Sequence, residues 1–189
     1  FTGWTLSGYD ETAKHGTSEN AVTNTIASTS TLIKSAYFKN LRKTVGTVTL
    51  TANWSANTYT INYELNGGSY GSSHPTNGTY DSNVTINNPT KEGYTFTGWT
   101  IKGEEETAKQ ERNEDGGTRT TASTSTLIKS TYFKNLRKTA GTVTLTANWS
   151  ANTYTINYVL NNGSYGTSHP TSATFDNVVT IDNPTKTGY

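Results

Sequence analysis

The sequence predicts a mainly β protein, α+β in class, built from tandem modules of 95 residues. Three observations carry that prediction. Phe1 recurs as Phe96, Thr31 as Thr126, Ala56 as Ala151 and Tyr94 as Tyr189, and 69 of the 94 aligned pairs are identical without insertion or deletion. Such a chain is an array of similar units. Short runs alternate apolar residues with threonine or asparagine, the pattern of strands with one buried face. Forty of the 189 residues are threonine, whose branched β-carbon favours strands.

The elements follow in chain order. Residues 6–26 and 101–121 contain "SGYDETAKHGTSENAVTN" and "KGEEETAKQERNEDGGTR", where the copies differ most. Both stretches are polar and lack an apolar period, so they read as long exposed loops. They are either solvated loops free to drift or copy-specific binding loops.

"STSTLIKSAYFKNLRKTVG" follows, with Ile33, Tyr37 and Leu41 spaced i, i+4, i+8. Ser30 is placed to cap a helix, Arg42 and Lys43 suit its last turn, and Gly46 suits its end. One amphipathic helix is the favoured reading. A short strand and a single helical turn is the other.

In "GTVTLTANW", Val48, Leu50, Ala52 and Trp54 share one side. In "TYTINYEL", Tyr59, Ile61, Tyr63 and Leu65 do the same. "LNGGSYG" is turn chemistry, "NVTIN" is a short strand, and "NPTKEG" is a second turn. "YTFTGWTI" is a further strand whose parity slips: Tyr94 and Phe96 share a face that Trp99 does not. Gly98 is placed to form a bulge that turns Trp99 inward. The expected structural core is Trp54, Tyr59, Ile61, Tyr63, Tyr94, Phe96, Trp99 and Trp149.

Composition narrows function. A net charge of +1 gives no field to attract nucleic acid or an anionic membrane. No stretch approaches the ~20 apolar residues of a membrane span. Cysteine and methionine are both absent, so no disulfide scaffold exists and no sulfur side chain is open to oxidation. That polar, β-rich composition reads as extracellular. No arrangement supports nucleophilic catalysis, so no catalytic, metal or cofactor residue is assigned and no enzyme is expected. His74 and His169, each beside a proline in "SHPT", read as turn residues. The acids at 104–106 and 113–115 lack the spacing of an EF-hand loop.

At "YTINYELNGG", "NPTKEGYTFTGWT" and "TVTLTANW" the sequence resembles the Listeria–Bacteroides repeat family, the internalin-type B repeat, with the family's blocks in the family's order. Asn162 in place of Gly67 departs from that pattern. The insert before the closing strand is longer than the family's usual one. The resemblance implies small β-grasp-like modules, each with a mixed sheet packed on one helix or helical turn. It also implies a surface protein of bacterial origin, placed on the cell wall or a surface appendage. It brings no catalytic residues.

The expected organisation is 1–55 as the later part of a module, 56–150 as one complete module, and 151–189 as the earlier part of the next. The strand around Ile61 is expected to pair with 143–149 and not with 46–54. Structural repetition in an extracellular stalk or fibre that projects or connects is the leading reading. The alternative is an adhesin binding host or matrix ligands through 6–26 and 101–121. The two partial modules are complementary, so the expected partners are other copies of the same repeat in head-to-tail assembly; a window on a continuous repeat chain would show the same geometry. In such an assembly Tyr189 of one copy would approach Phe1 of the next.

Overall fold

A computed structural model describes residues 1–26, 32–111, 119–120, 128 and 131–189. The chain divides into two compact units, Phe1–Ala56 and Asn57–Tyr189.

The first unit holds β1 (Gly3–Ser7), β2 (Lys14–Gly16), β3 (Val22–Thr25), β4 (Tyr37–Lys39) and β5 (Thr49–Asn53). β1 and β5 form an antiparallel pair with Leu6 opposite Leu50 and Trp4 opposite Ala52. β3, β2 and β4 form an antiparallel sheet in that order. Ala13, Ile26 and Ile33 are buried, and Leu6, Tyr9, Phe38 and Leu41 pack against them half-buried.

The second unit holds β6 (Thr58–Glu64), β7 (Asn77–Thr79), β8 (Asn83–Thr85), β9 (Tyr94–Lys102), β10 (Lys109–Glu111), β11 (Arg119–Thr120), β12 (Tyr132–Lys134), β13 (Thr142–Ala151), β14 (Thr153–Thr155) and β15 (Ser172–Thr174). A mixed sheet runs β7-β6-β13-β9. Its central pair, β6 and β13, is parallel, with Val143 opposite Ile61 and Leu145 opposite Tyr63. The strand beside Ile61 is therefore the one about 80 residues on, while β5 pairs with β1. A second sheet runs β11-β10-β12-β8. The two sheets share one core of Tyr59, Ile61, Val84, Ile86, Trp99, Ile101, Ala108, Ile128, Phe133, Leu136, Val143, Leu145 and Ala147. Burying each large aliphatic side chain contributes about 1.5–3 kcal/mol.

Two turns explain a departure from the family pattern. Gly68 N–H closes on the Leu65 carbonyl at 3.0 Å, with Asn66 and Gly67 at φ 49° and 81°. Asn161 and Asn162 take the same place at φ 47° and 67°. A tight turn with two left-handed residues demands Gly or Asn, so Asn162 keeps the geometry of Gly67. The bulge at Gly98 is present: the β9–β13 register shifts between Asn148 and Trp149, where Gly98 faces Asn148 and Phe96 faces Trp149. Gly98 has φ 139° and Trp99 is buried.

The expected helix does not form. Among the described residues there is no helix. The proposed cap at Ser30 lies outside them, but residues 32–46 are described and carry β4. The i, i+4 reading took Tyr37 as inward-facing, yet Tyr37 is exposed and the adjacent Phe38 packs on the core. Alternation across a strand turns neighbours to opposite sides. Asn40 and Asn135, both at φ 52°, take the chain out of any helical path just after the aromatic pair. The layer expected to be helical is therefore the second sheet.

The expected loop at 6–26 is in part sheet. It contains the end of β1, all of β2 and β3, and the fully buried Ala13. Its counterpart begins with the end of β9 and β10 and reaches β11, while residues 112–118 and 121 lie outside the described residues. Residues 152–189 lie in the same compact unit as 57–151.

Candidate functional site

With no catalytic constellation in the sequence, the structural feature with most bearing on an array is where one repeat passes into the next. That passage lies inside the second unit. Ala151 is the last residue of β13 and pairs with Tyr94 at the start of β9. Only Asn152 separates it from β14. Asn152 donates its backbone N–H to the Gly93 carbonyl at 2.9 Å and accepts from Phe175 N–H at 2.8 Å. Its side-chain oxygen accepts from the Thr95 hydroxyl at 2.6 Å. One residue thus ties the end of a module, the start of its β9 and the hairpin of the next repeat.

An aromatic contact closes the seam. The Tyr94 and Phe175 rings meet edge to face with centroids 5.7 Å apart, and Tyr94 Oη donates to Asp176 Oδ2 at 2.8 Å. That hydrogen bond to a carboxylate holds the Tyr94 phenol above its ordinary pKa. Gly93 has φ 74°, and a Cβ there would come within 2.2 Å of the Phe175 ring. Glycine is needed at 93 both for the backbone and for the room it leaves.

The seam accounts for one expected core residue. Tyr94 is half-buried and engages Phe175 and Asp176. A face shared with Phe96 had suggested the module's own core. Sequence alternation could not separate the two because the partner lies 81 residues ahead. Tyr59, Ile61 and Trp99 are buried, while Tyr63, Phe96 and Trp149 pack half-buried against the same cluster. Trp149 donates its indole N–H to the Leu65 carbonyl at 2.9 Å. A Cβ on Gly68 would fall 2.5 Å from its ring. Burial pushes the Tyr63 phenol up, and its hydroxyl donates to the Pro75 carbonyl at 2.8 Å. Trp54 corrects the expectation: it is 74% exposed and touches Phe1 at 5.5 Å between centroids. β5 ends at Asn53, just before it, and among the described residues has no counterpart of β6 on its other edge.

Charged groups in the variable stretches brace the modules. Glu105 accepts from Lys138 N–H at 2.6 Å and the Thr139 hydroxyl at 2.5 Å, and pairs with Arg137 at 2.9 Å. The Thr139 hydroxyl, then the Lys138 backbone N–H, hold its carboxyl below the usual range. Glu106 pairs with Lys138, and Glu11 with Lys43. Asp10 stands in for Glu105 by accepting from Lys43 N–H at 2.8 Å. Glu11, Glu105 and Glu106 are paired with cations of their own chain. Among the described residues no group of three or more His, Cys, Asp or Glu is placed to hold a metal ion. His74 stacks on Tyr70 and lies 3.0 Å from the Gly71 carbonyl; His169 repeats this with Tyr165 and Gly166. Both lie outside the strands. Among the described residues no helix is long and apolar enough to cross a membrane.

Ala13 and Ala108 were overlooked by sequence reasoning. Both are fully buried within the stretches that differ most. The signal was available: "ETAK" is identical in the two copies at 11–14 and 106–109.

Residues 59–133 match the family model of the Listeria-Bacteroides repeat domain, a family typical of bacterial surface proteins and generally structural. No curated protein and no solved structure gives a significant match to the chain.

Proposed function

We propose that this chain, which carries a Listeria-Bacteroides repeat domain over residues 59–133, is a spacer of an extracellular stalk or fibre. Its work is to project or connect, at a bacterial cell wall or surface appendage. The single observation that supports this reading is the seam. β13 passes into β14 through Asn152 alone, and Tyr94, Phe175 and Asp176 lock the two repeats side by side. A flexible linker would let successive repeats swivel; a one-residue passage with its hydrogen bonds satisfied does not.

The test places spin labels at Lys102→Cys and Ser172→Cys, on either side of the seam, in a chain that has no other thiol. A spacer gives one narrow distance distribution, which Phe175→Ala broadens. A broad distribution in the otherwise unaltered chain would remove the spacer reading. Exchanging 6–26 with 101–121 between copies tests the adhesin alternative, since a spacer is indifferent to the exchange.

A further inference from the structure

One loop of the complete module turns an aromatic ring outward and holds it there. Tyr70 is 53% exposed, yet it is fixed by its neighbours. Its ring stacks on His74 with centroids 4.3 Å apart and meets Tyr63 edge to face at 5.7 Å. The loop itself is braced. Ser69 exchanges backbone hydrogen bonds with Thr90, Asn87 N–H bonds to the Ser73 carbonyl at 2.8 Å, and Ser73 Oγ donates to the Thr85 carbonyl at 2.8 Å. A tyrosine held this way offers a large amphipathic surface at little further entropic cost to whatever packs on it. The stack is built again from Tyr165 and His169, at 4.5 Å.

Beside Tyr70 lies a cleft of about 330 Å³, lined by Asn62, Tyr63, Glu64, Thr76 and Thr144 together with Tyr70. That is within the size of small-molecule sites, about 300–1,000 Å³. The cleft opens because β7 is short. β7 pairs with β6 only over Thr58–Thr60, and Thr76 extends the pairing by one bond, from Ile61 N–H at 2.8 Å. In a parallel ladder alternate residues face the same neighbour. Thr60 N–H bonds to the Gly141 carbonyl, so Tyr63, like Ile61, turns its backbone away from β13 and toward the cleft. The next residue of that row is closed, since the Leu65 carbonyl accepts from Gly68 N–H and from the Trp149 indole. The open stretch of this edge is therefore one residue long, the N–H and carbonyl of Tyr63. Glu64 Oε2 accepts from the Thr146 hydroxyl at 2.8 Å, which leaves Oε1 for a ligand.

We infer that this cleft binds a neutral glycan through an N-acetylated hexose. The inference goes beyond the spacer reading and does not rest on it. Three features of the cleft meet three parts of such a sugar. The axial C–H bonds of a pyranose make one face apolar and slightly positive, and that face packs on the negative face of an aromatic ring such as Tyr70. An acetamido group carries one N–H and one carbonyl, which pair with Tyr63 as a neighbouring strand would. Sugar hydroxyls donate to the Glu64 carboxylate and accept from Asn62 and Thr144. The same carboxylate disfavours an anionic sugar. An extended peptide fits less well, because it brings a row of backbone groups to an edge with one open residue. The two copies differ at one of these positions. Asn62, Tyr70 and His74 recur as Asn157, Tyr165 and His169, whereas Glu64 is replaced by Val159. The carboxylate contact is therefore particular to the complete module.

An amide NMR titration of the full chain with N-acetylated chitotriose tests this. Saturable shifts centred on Tyr63, Glu64, Tyr70 and Thr144 are the expected result. Cellotriose, which has hydroxyls in place of the acetamido groups, should bind about tenfold more weakly, as for one lost hydrogen bond. Tyr70→Ala should abolish the shifts. Glu64→Val installs the residue that the other copy carries at 159, so it keeps the fold if Tyr70→Ala disturbs the loop, and it should also weaken binding about tenfold. No shifts with chitotriose, equal binding of cellotriose, or binding unchanged in Glu64→Val would each overturn the inference. So would trialanine shifting the same amides where chitotriose does not, which would assign the edge to a peptide. The labels across the seam read the spacer function separately, because they report a distance that the cleft does not set.

Discussion

Leu145 is fully buried in the complete module, while Leu50, 95 positions earlier in an identical "GTVTLTANWSANTYTINY", is half-buried. Ile86 is fully buried and Ile181 is 49% exposed; Trp149 is half-buried and Trp54 is 74% exposed. Local sequence is identical around Leu50 and Leu145 and around Trp54 and Trp149, so in those pairs the difference isolates tertiary context. A strand with alternating residues prepares an apolar face, but burial needs the opposing strand, which in this fold lies most of a repeat away. Among the described residues the first unit keeps a core of Ala13, Ile26 and Ile33, against thirteen residues in the complete module. The lesson is that the unit of stability here is the closed module, cut at the phase in which β6 and β13 run side by side.

That comparison can be broken or sharpened by paired substitutions at dilutions where copies stay apart. Trp99→Ala should destabilise the second unit by about 3–5 kcal/mol in equilibrium unfolding. Trp4→Ala, its half-buried counterpart, should cost clearly less, and equal costs would break the comparison. Leu145→Ala should cost about 2–5 kcal/mol, with Leu50→Ala again well below it. Trp54→Ala should stay within about 0.5 kcal/mol, the range of exposed positions.

The seam adds a dependence on pH. The Tyr94 phenol is raised above its unfolded value by the hydrogen bond to Asp176. Its contribution is therefore fully present below the unfolded value of 10.0 and is lost as pH rises through the folded one. The label distances across the seam should hold at neutral pH and broaden in strong alkali. Tyr94→Phe should remove that alkaline transition while keeping the edge-to-face contact with Phe175.

Much of the module was legible in the sequence. The pairing of 58–65 with 143–149 in one sheet followed from repeat phase and alternation; its parallel direction did not. The Gly98 bulge followed from a parity slip between Phe96 and Trp99. What escaped had physical causes. Tyr37 sits where a helical stripe would place it, and nothing local reveals that Phe38 is the inward residue. Ala13 is too small to mark a strand by hydropathy. Tyr94 alternates like a core residue, yet its partner Phe175 belongs to the following repeat. Trp54 reads like Trp149 because the two stretches are identical; their exposure differs through a strand neither one contains.

Amide hydrogen exchange at Leu50 and Leu145, in dilute protein, tests the central claim most directly. Thr60 N–H bonds to the Gly141 carbonyl at 2.8 Å, and in a parallel ladder this directs the Leu145 amide toward β6. Among the described residues the matching edge of β5 is unpaired. The account predicts that the Leu145 amide exchanges only on opening of the module core, while the Leu50 amide exchanges faster by about two orders of magnitude or more. Equal protection at the two amides in a monomeric sample would contradict it.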